Sequence, residues 1–514
     1  MKFILFLTGF CISLQLYSQS NVLWDDYLQN RPKGEATILP DFSYAGYHRG
    51  EKAIPEVKYK VFDIADYGAV PNDTLSDRAA IEKAVAAAVQ NGSGIVFFPK
   101  GRFVVNDGSE EPRPITIKAK NLVLRGSGSG VDGTELFMKN VLPAKNPEQM
   151  WTSPYMFELV GGGSETALTE VVADATAGSF AIEVADASKL KAGQWIVLRL
   201  QNNDPELVRS ELQGREPDVR WSSIRNKGVY VNVYHQIERV EGLVVTLKEP
   251  LHKSIERQYG WKVLQYGHSE EVGVEDIAFV GNWKQTFDHH ADWIHDGGYS
   301  LLKFQRLANS WIRNCRFTDV NRAVNLVLCS NVSVLNCTIT GTPGHSAISS
   351  NASTRVFIGK VVDTSSQFHA CGVTGPTMAT VLWRISNNAN TCFEAHASQP
   401  RNTLVDNVQG AIMHNRAGGA NENLPNHLDH LILWNYRDIG EGTSGFEFWP
   451  EKRTYFKMLP PTIVGFPSGT TTFNTNQLKH LLFHGALANP ESLWEAQLKL
   501  RLGKLPKWVE MLKQ

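Results

Sequence analysis

Apolar residues in this chain fall into short runs, mostly three to six long and rich in Val, Ile and Phe, punctuated by Gly, Asn and Asp. Such runs predict strands rather than helices. The first is Val61–Ile64. After Asp66-Tyr67-Gly68-Ala69 the pattern changes: Ala79 to Val89 is Ala-rich and predicts a helix, with Ser76 or Asp77 as its cap. Asn91-Gly92-Ser93-Gly94 ends it, and Ile95–Phe98 predicts a buried strand. Near the other end, Ser492–Leu502 carries Leu493, Ala496, Leu498 and Leu500 among charges and predicts an amphipathic helix.

A repeat organises the middle of the chain. Trp311–Phe317 aligns with Ser333–Ile339 at an offset of 22, and a further 22 sets Ile339 on Val361. A period in the low twenties, rich in β-branched residues and Asn, predicts the coils of a solenoid. Cys315 and Cys337 then stack inside it as core thiols. Between residues 165 and 265 the repeat gives way to runs such as Ser179–Val184, Gly193–Leu198 and Leu243–Leu247, which predict an antiparallel, β-rich insertion.

The stretch FDIADYGAVPNDTLSDRAAIEKAVAAAVQNGSGIVFFPKGRF, residues 62–103, resembles the opening of the pectate-lyase-like β-helix superfamily. The resemblance implies an all-β fold: a right-handed parallel β-helix with an N-terminal capping helix, a β-rich insertion and a C-terminal cap. It says little about chemistry, because lyases, hydrolases, epimerases and tailspikes share this opening. From about His427 the chain resembles an uncharacterised C-terminal region of pectate-lyase-like proteins from polysaccharide-degrading bacteria. The overall layout resembles enzymes of marine bacterial systems for ulvan, a sulfated rhamnose–uronate polymer, and among these an ulvan-oligosaccharide dehydratase. The expected organisation is a signal peptide at 1–18, an N-terminal arm at 19–60, the β-helix at 61–426 and a capping region at 427–514.

Composition narrows the partners. The 514 residues carry a formal net charge of -1, with 42% hydrophobic and 20% charged residues, so no basic excess points to nucleic acid. Lys2 followed by the apolar Phe3–Leu16 and a cleavage point after Ser18 reads as an export leader, too short to span a membrane. The expectation is a secreted or periplasmic monomer without a membrane anchor. Five cysteines follow the leader, at 315, 329, 337, 371 and 392, with no Cys-x-x-Cys pair to hold structural zinc.

Superposing coils at 22 residues sets Lys303 beside Asn325 and Ala347, and Leu301 beside Ala323 and His345. One outer face would then gather Lys303, Asn325 and His345, with Arg322 at its edge. His369, Glu394, His396 and Arg416 follow on later coils. Elimination next to a uronate carboxylate needs a base for the C5 proton, a cation to offset the growing charge, and a donor for the departing C4 oxygen. The candidates for catalysis are His345, His369, His396, Lys303 and Tyr299; those for substrate binding are Arg322, Asn325, Glu394 and Arg416. The division of roles stays open.

His289-His290 with Asp292, His295 and Asp296 offers metal-ligand types, but a loop held by hydrogen bonds or a substrate wall is the favoured reading, and no metal or other cofactor is expected. Hydrolysis needs two placed carboxylates. Gly344-His345-Ser346 and Arg384-Ile385-Ser386 resemble polygalacturonase motifs, yet the paired-Asp motif of that family is not visible. The Asp clusters of calcium-dependent pectate lyases are missing too. The reading is therefore a carbon–oxygen lyase acting on an acidic, ulvan-type oligosaccharide, as a dehydratase or polysaccharide lyase. The alternatives are a glycoside hydrolase, with Asp319, Glu394 or Asp406 as acids, and a non-catalytic sugar-binding β-helix.

Overall fold

The computed structural model describes residues 21–513 except 415, 454 and 469, so the leader at 1–18 lies outside the described residues. Three parallel sheets of twelve, nine and seven strands run along a stack of coils. Strands of successive coils pair in register, as in Ile95↔Val123, Val123↔Gly273, Gly273↔Trp311 and Trp311↔Ser333. This is a parallel β-helix, right-handed as twisted parallel strands demand of their crossovers. Inward positions of all three sheets fill one core, with Phe103, Leu136, Phe279, Ile312, Phe317 and Ile348 among its wholly buried members. The helix Arg78–Gln90 lays Ile81, Ala84 and Ala88 over the first coil. At its start Asp77 spends its carboxylate on Val70 N–H and Val104 N–H, while Ser76 Oγ accepts from Arg78 N–H.

One corner shows why Asn recurs. Asp276, Asn314, Asn336, Asn407 and Asn435 all take positive φ there, a conformation Asn and Asp tolerate better than most residues. Their side chains bond from coil to coil: Asn314 donates to Asp276 and Asn336 to Asn314. Inside, the thiols of Cys315 and Cys337 sit on neighbouring coils, and all five cysteines from 315 to 392 are free and buried.

The period is not constant. Thr318 pairs with Thr340 at the expected 22, but Arg322 pairs with Ser346 and Asn325 with Ser349. The turn at 341–345 is two residues longer than its predecessor, so the later step is 24, and Ile339 meets Asp363 rather than Val361. Lys303 therefore lies beside Asn325 and Ser349, not Ala347, and Ala323 is not the neighbour of His345. His345 is lifted off the strand into the turn, where its N–H bonds Asn321 O.

Residues 167–265 form a six-stranded antiparallel sheet inserted between two coils. Its helix Pro205–Glu211 is tied to the solenoid by Glu211, whose Oε2 accepts from Arg401 Nη2 at 2.7 Å. The coils continue past residue 426: Leu431–Trp434, Thr462–Phe466 and His480–His484 extend the twelve-stranded sheet, so the end expected at 426 moves to 484. The helix Leu493–Leu502 lies on the flank of that sheet. There Trp494 and Leu498 pack with Leu23, Tyr27 and Phe42 of the N-terminal arm against Phe357, Trp383 and Trp434.

Candidate active site

The seven-stranded sheet presents three imidazoles from three consecutive coils. His345 and His369 sit just before the strands Ser346–Asn351 and Gly372–Thr374, and His396 lies just after Glu394–Ala395. Ring centroids are 5.0 Å apart from His345 to His369 and 5.0 Å from His369 to His396, close to the spacing of neighbouring strands. Glu394 and His396 are two apart and share one side of their strand. Gly372 pairs with Glu394 in the neighbouring strand, and a Cβ there would meet Glu394 O at 2.2 Å, so glycine makes room for the carboxylate-bearing strand.

The loop before Ser300 supplies the facing groups. His289 Nε2 stands 3.3 Å from His369 Nε2, and its ring stacks on Phe368 with centroids 4.1 Å apart. Arg416 covers Phe368, its guanidinium carbon 4.5 Å from the ring centroid. Asp296 accepts from both His290 Nδ1, at 2.7 Å, and His290 N–H. Asp292 instead caps the short helix Trp293–Gly297, and His295 Nδ1 accepts from Asp288 N–H, so those two hold the loop.

Hydrogen bonds set the tautomers. His345 Nδ1 donates to Asp296 O at 2.8 Å, which leaves Nε2 a lone pair; that atom is buried and has no partner among the described residues. His369 Nδ1 lies 2.9 Å from Glu394 Oε2, while Glu394 Oε1 accepts from Gly418 N–H at 2.7 Å. With Glu394 ionised, His369 Nδ1–H is the donor and Nε2 carries the lone pair. His396 Nδ1 faces Thr374 Oγ1, and no hydrogen bond among the described residues occupies its Nε2.

Burial decides the charges. It pushes Glu394 up to about 7 and, with help from neighbouring imidazoles, His289 and His369 down to about 3 and His396 to about 4. His345 is held well below the usual imidazole range for the same reasons. His290 goes the other way: its hydrogen bond to Asp296 raises it. Asp296, which burial alone would push up, is held down by that same bond. One cluster thus holds neutral imidazoles beside one that favours its proton, the separation that acid–base chemistry uses.

These groups line a cavity of about 1010 Å³. Its rim carries Trp151, 69% exposed, and Tyr455, 53% exposed, two aromatic faces open to a sugar ring; Lys452 and Arg453 supply cations. Backbone at 417–420 and the side chains of Glu422 and Asn423 close another wall.

Of the residues singled out in the sequence, His345, His369 and His396 meet in this cavity, with Glu394 directly behind His369. Among the described residues Lys303, Tyr299 and Asn325 do not line it: Lys303 and Asn325 remain on the strand face that the lengthened turn separated from His345, and Tyr299 packs against the core. Arg322 is a wall support, donating to the carbonyls of Asp296, Met150 and Trp151. Arg416 acts through Phe368. Asp319 is taken by Lys284 and Thr342, and Asp406 is buried under the C-terminal helix. Arg384 pairs with Glu495 on the helix Leu493–Leu502 and with Glu491 just before it, so the two polygalacturonase-like motifs do not converge. The rim residues Trp151, Lys452, Arg453 and Tyr455 have no sequence signal, whereas the His289-His290 pair is visible in the sequence and lies in the cavity wall.

Residues 61–169 match the family model for rhamnogalacturonase A/epimerase, pectate lyase-like, and residues 366–512 match a domain of unknown function, DUF4955. Mannuronan C5-epimerase AlgE3 of Azotobacter vinelandii is 39% identical over 71 residues, 13% of this chain and only 4% of that protein. Among solved structures, the tailspike gp49 of Pseudomonas phage LKA1 is 16% identical with a TM-score of 0.44, covering 79% of this chain and 71% of that one. A hyperthermoactive exopolygalacturonase from Thermotoga maritima is 11% identical with a TM-score of 0.32, covering 86% and 95%. Resemblances this distant say nothing about chemistry.

Proposed function

Starting from a chain of the pectate-lyase-like β-helix superfamily, we propose that it catalyses β-elimination on uronate-containing oligosaccharides of the ulvan type. The C5 proton passes to a base, the C5–H electrons form the C4=C5 double bond, and the C4–O bond breaks. The departing oxygen takes a proton and leaves as water from a terminal 4-hydroxyl, or as a sugar alcohol from a glycosidic bond. The product is a 4,5-unsaturated uronate at the non-reducing end.

The carrying observation is the convergence of His345, His369 and His396 in one cavity, with no hydrogen bond among the described residues on His396 Nε2. His290, gripped through Nδ1 by Asp296, is placed to donate from its other nitrogen. Lys452 and Arg453 supply charge for the carboxylate, and Trp151 and Tyr455 faces for the ring. The matched C5-epimerase is named for a change at the same carbon of its own substrate. Of the carboxylates named for hydrolysis, Asp319 and Asp406 are engaged elsewhere, and Glu394 is bonded to His369 and to Gly418 N–H. Export, read from the apolar leader, would bring the enzyme to such a substrate.

The test is incubation with ulvan-type oligosaccharides, following ultraviolet absorbance of the unsaturated uronate and product masses. A chromophore with loss of water identifies a dehydratase; a chromophore with chain cleavage identifies a lyase. Gain of water without a chromophore, or no change, refutes elimination. His396→Ala should abolish the chromophore in a folded protein.

A further inference from the structure

We propose that the Nε2 atoms of His289, His345 and His369 form a facial three-imidazole site for a divalent first-row transition ion, with Zn²⁺ the best-suited probe. One ring nitrogen from each lies within 4.8 Å of the other two. The His289–His369 separation of 3.3 Å matches the edge of a tetrahedral zinc site, where Zn–N bonds of about 2.0–2.1 Å put neighbouring nitrogens about 3.3 Å apart.

The surroundings are those of metal-bound histidines. Such a ring commonly donates its other N–H to a carboxylate or backbone carbonyl, which fixes the tautomer and aims the lone pair. His369 Nδ1 faces Glu394 at 2.9 Å and His345 Nδ1 donates to Asp296 O at 2.8 Å. A bound ion would also answer one oddity. His345 Nε2 is a buried acceptor that nothing among the described residues satisfies, and it lies in the same cluster as the facing Nε2 atoms of His289 and His369. His289 and His369 both line the cavity, so a fourth position facing it can take an oxygen of the substrate. Three imidazoles with an open position suit a Lewis-acid site, and imidazole favours zinc, copper, iron or nickel over calcium or magnesium. The ion's role in offsetting the uronate carboxylate rests on the proposed elimination; its binding does not. The site departs from the expectation of a metal-free enzyme.

The experiment uses untagged full-length protein, stripped with chelator and titrated with Zn²⁺ by calorimetry; Co²⁺ serves as a visible-absorption probe. One equivalent should bind, and His289→Ala, His345→Ala and His369→Ala should each weaken binding at least about 100-fold. His480→Ala, on the terminal strand, should leave it unchanged. His289 sits on a loop, so its variant keeps the test alive if the other two fail to fold, which circular dichroism would reveal. No bound equivalent in the wild type, or affinity unchanged in a folded His289→Ala, overturns the site. Elimination that survives chelation with no metal bound overturns the ion's role in the reaction and leaves the binding test to judge the site; zinc binding without elimination sinks the proposed reaction alone.

Discussion

Gly418 offers a test that adds one methyl group and no charge. Its φ lies outside the left-handed region, so alanine meets no backbone strain there. A Cβ at this position would stand 2.3 Å from His396 Cδ2 and 2.7 Å from both His396 Nε2 and His369 Cε1. Carbon atoms settle at about 3.5–4.0 Å, so something must move by about 1 Å. The loop cannot simply retreat: Gly418 N–H donates to Glu394 at 2.7 Å, and Gly418 O accepts from Asn426 Nδ2 at 2.7 Å. The rings therefore yield, and His396 leaves its place. A 1 Å misplacement of a reacting group costs about 100-fold in rate, or about 2.7 kcal/mol in the barrier. Overpacking itself costs about 1–3 kcal/mol of stability, which a protein of this size should survive. Steady-state kinetics on the unsaturated uronate should show kcat for Gly418→Ala down about 100-fold, with KM little changed because Trp151 and Tyr455 stay in place. A folded variant whose kcat stays within about threefold of wild type would refute the placement of His396 at the reacting carbon.

Trp151→Ala should raise KM up to about tenfold at nearly constant kcat, since an aromatic face contributes about 0.5–1.5 kcal/mol and does so equally before and during reaction; an unchanged KM would remove the rim from the binding site. Glu211 governs acid stability. Burial would raise its pKa, yet Arg401 and Lys253 hold it at about 2 against an ordinary 4.5, so its contribution is full above about 4.5 and is lost as pH falls towards 2, about 3 kcal/mol in all. Melting temperature measured between pH 6 and pH 2 should fall less steeply in Glu211→Gln, which should also be destabilised at neutral pH by about 3–5 kcal/mol because Arg401 keeps a buried charge; parallel pH curves for variant and wild type would contradict this. Asp406→Ala should cost about 2–4 kcal/mol, because Ser492 Oγ and the N–H groups of Leu493 and Trp494 lose their buried acceptor. Limited proteolysis should then release the helix Leu493–Leu502 early, and a wild-type cleavage pattern would show that the helix docks by other means.

Coil structure was legible where chemistry repeats, and the site was legible only where coils alone build it. Strand runs, the Ala-rich helix and the Cys315–Cys337 step all report local pattern, and that pattern carries the solenoid. The two extra residues at 341–345 are a turn length, which hydrophobic periodicity does not encode, and with the uneven later steps they take the coils off the 22-residue grid. That shift made Lys303 and Asn325 look like neighbours of His345. His289, His290 and Asp296 reach the site from a loop, and Lys452 and Arg453 from beyond the expected end of the coils, so no spacing rule joins them to His369. Arg322 misled for another reason: an arginine at the edge of a face looks the same in sequence whether it greets a substrate or holds three carbonyls.

The fold also dictates the state of the groups it stacks. Parallel coils lie at strand spacing, and although His345, His369 and His396 are not register equivalents their rings still stack with centroids 5.0 Å apart at each step. Two protonated rings at that distance would repel by about 3 kcal/mol at an effective dielectric constant of 20, before any cost of burial. A buried column of imidazoles therefore resists taking up more than one proton, and burial holds its members below the usual imidazole range. Charge can enter only from outside the column, where an excursion brings its own counterion. His290 does so with Asp296, and Lys452 and Arg453 do so from the solvent-facing rim. The cations thus come from loops that cross the coils, although the loop that carries His290 also brings the neutral His289. A lysine put in the column at His396 would be driven to its neutral form, while one put at His290 beside Asp296 would keep its charge, and that difference follows from the solenoid rather than from the residue.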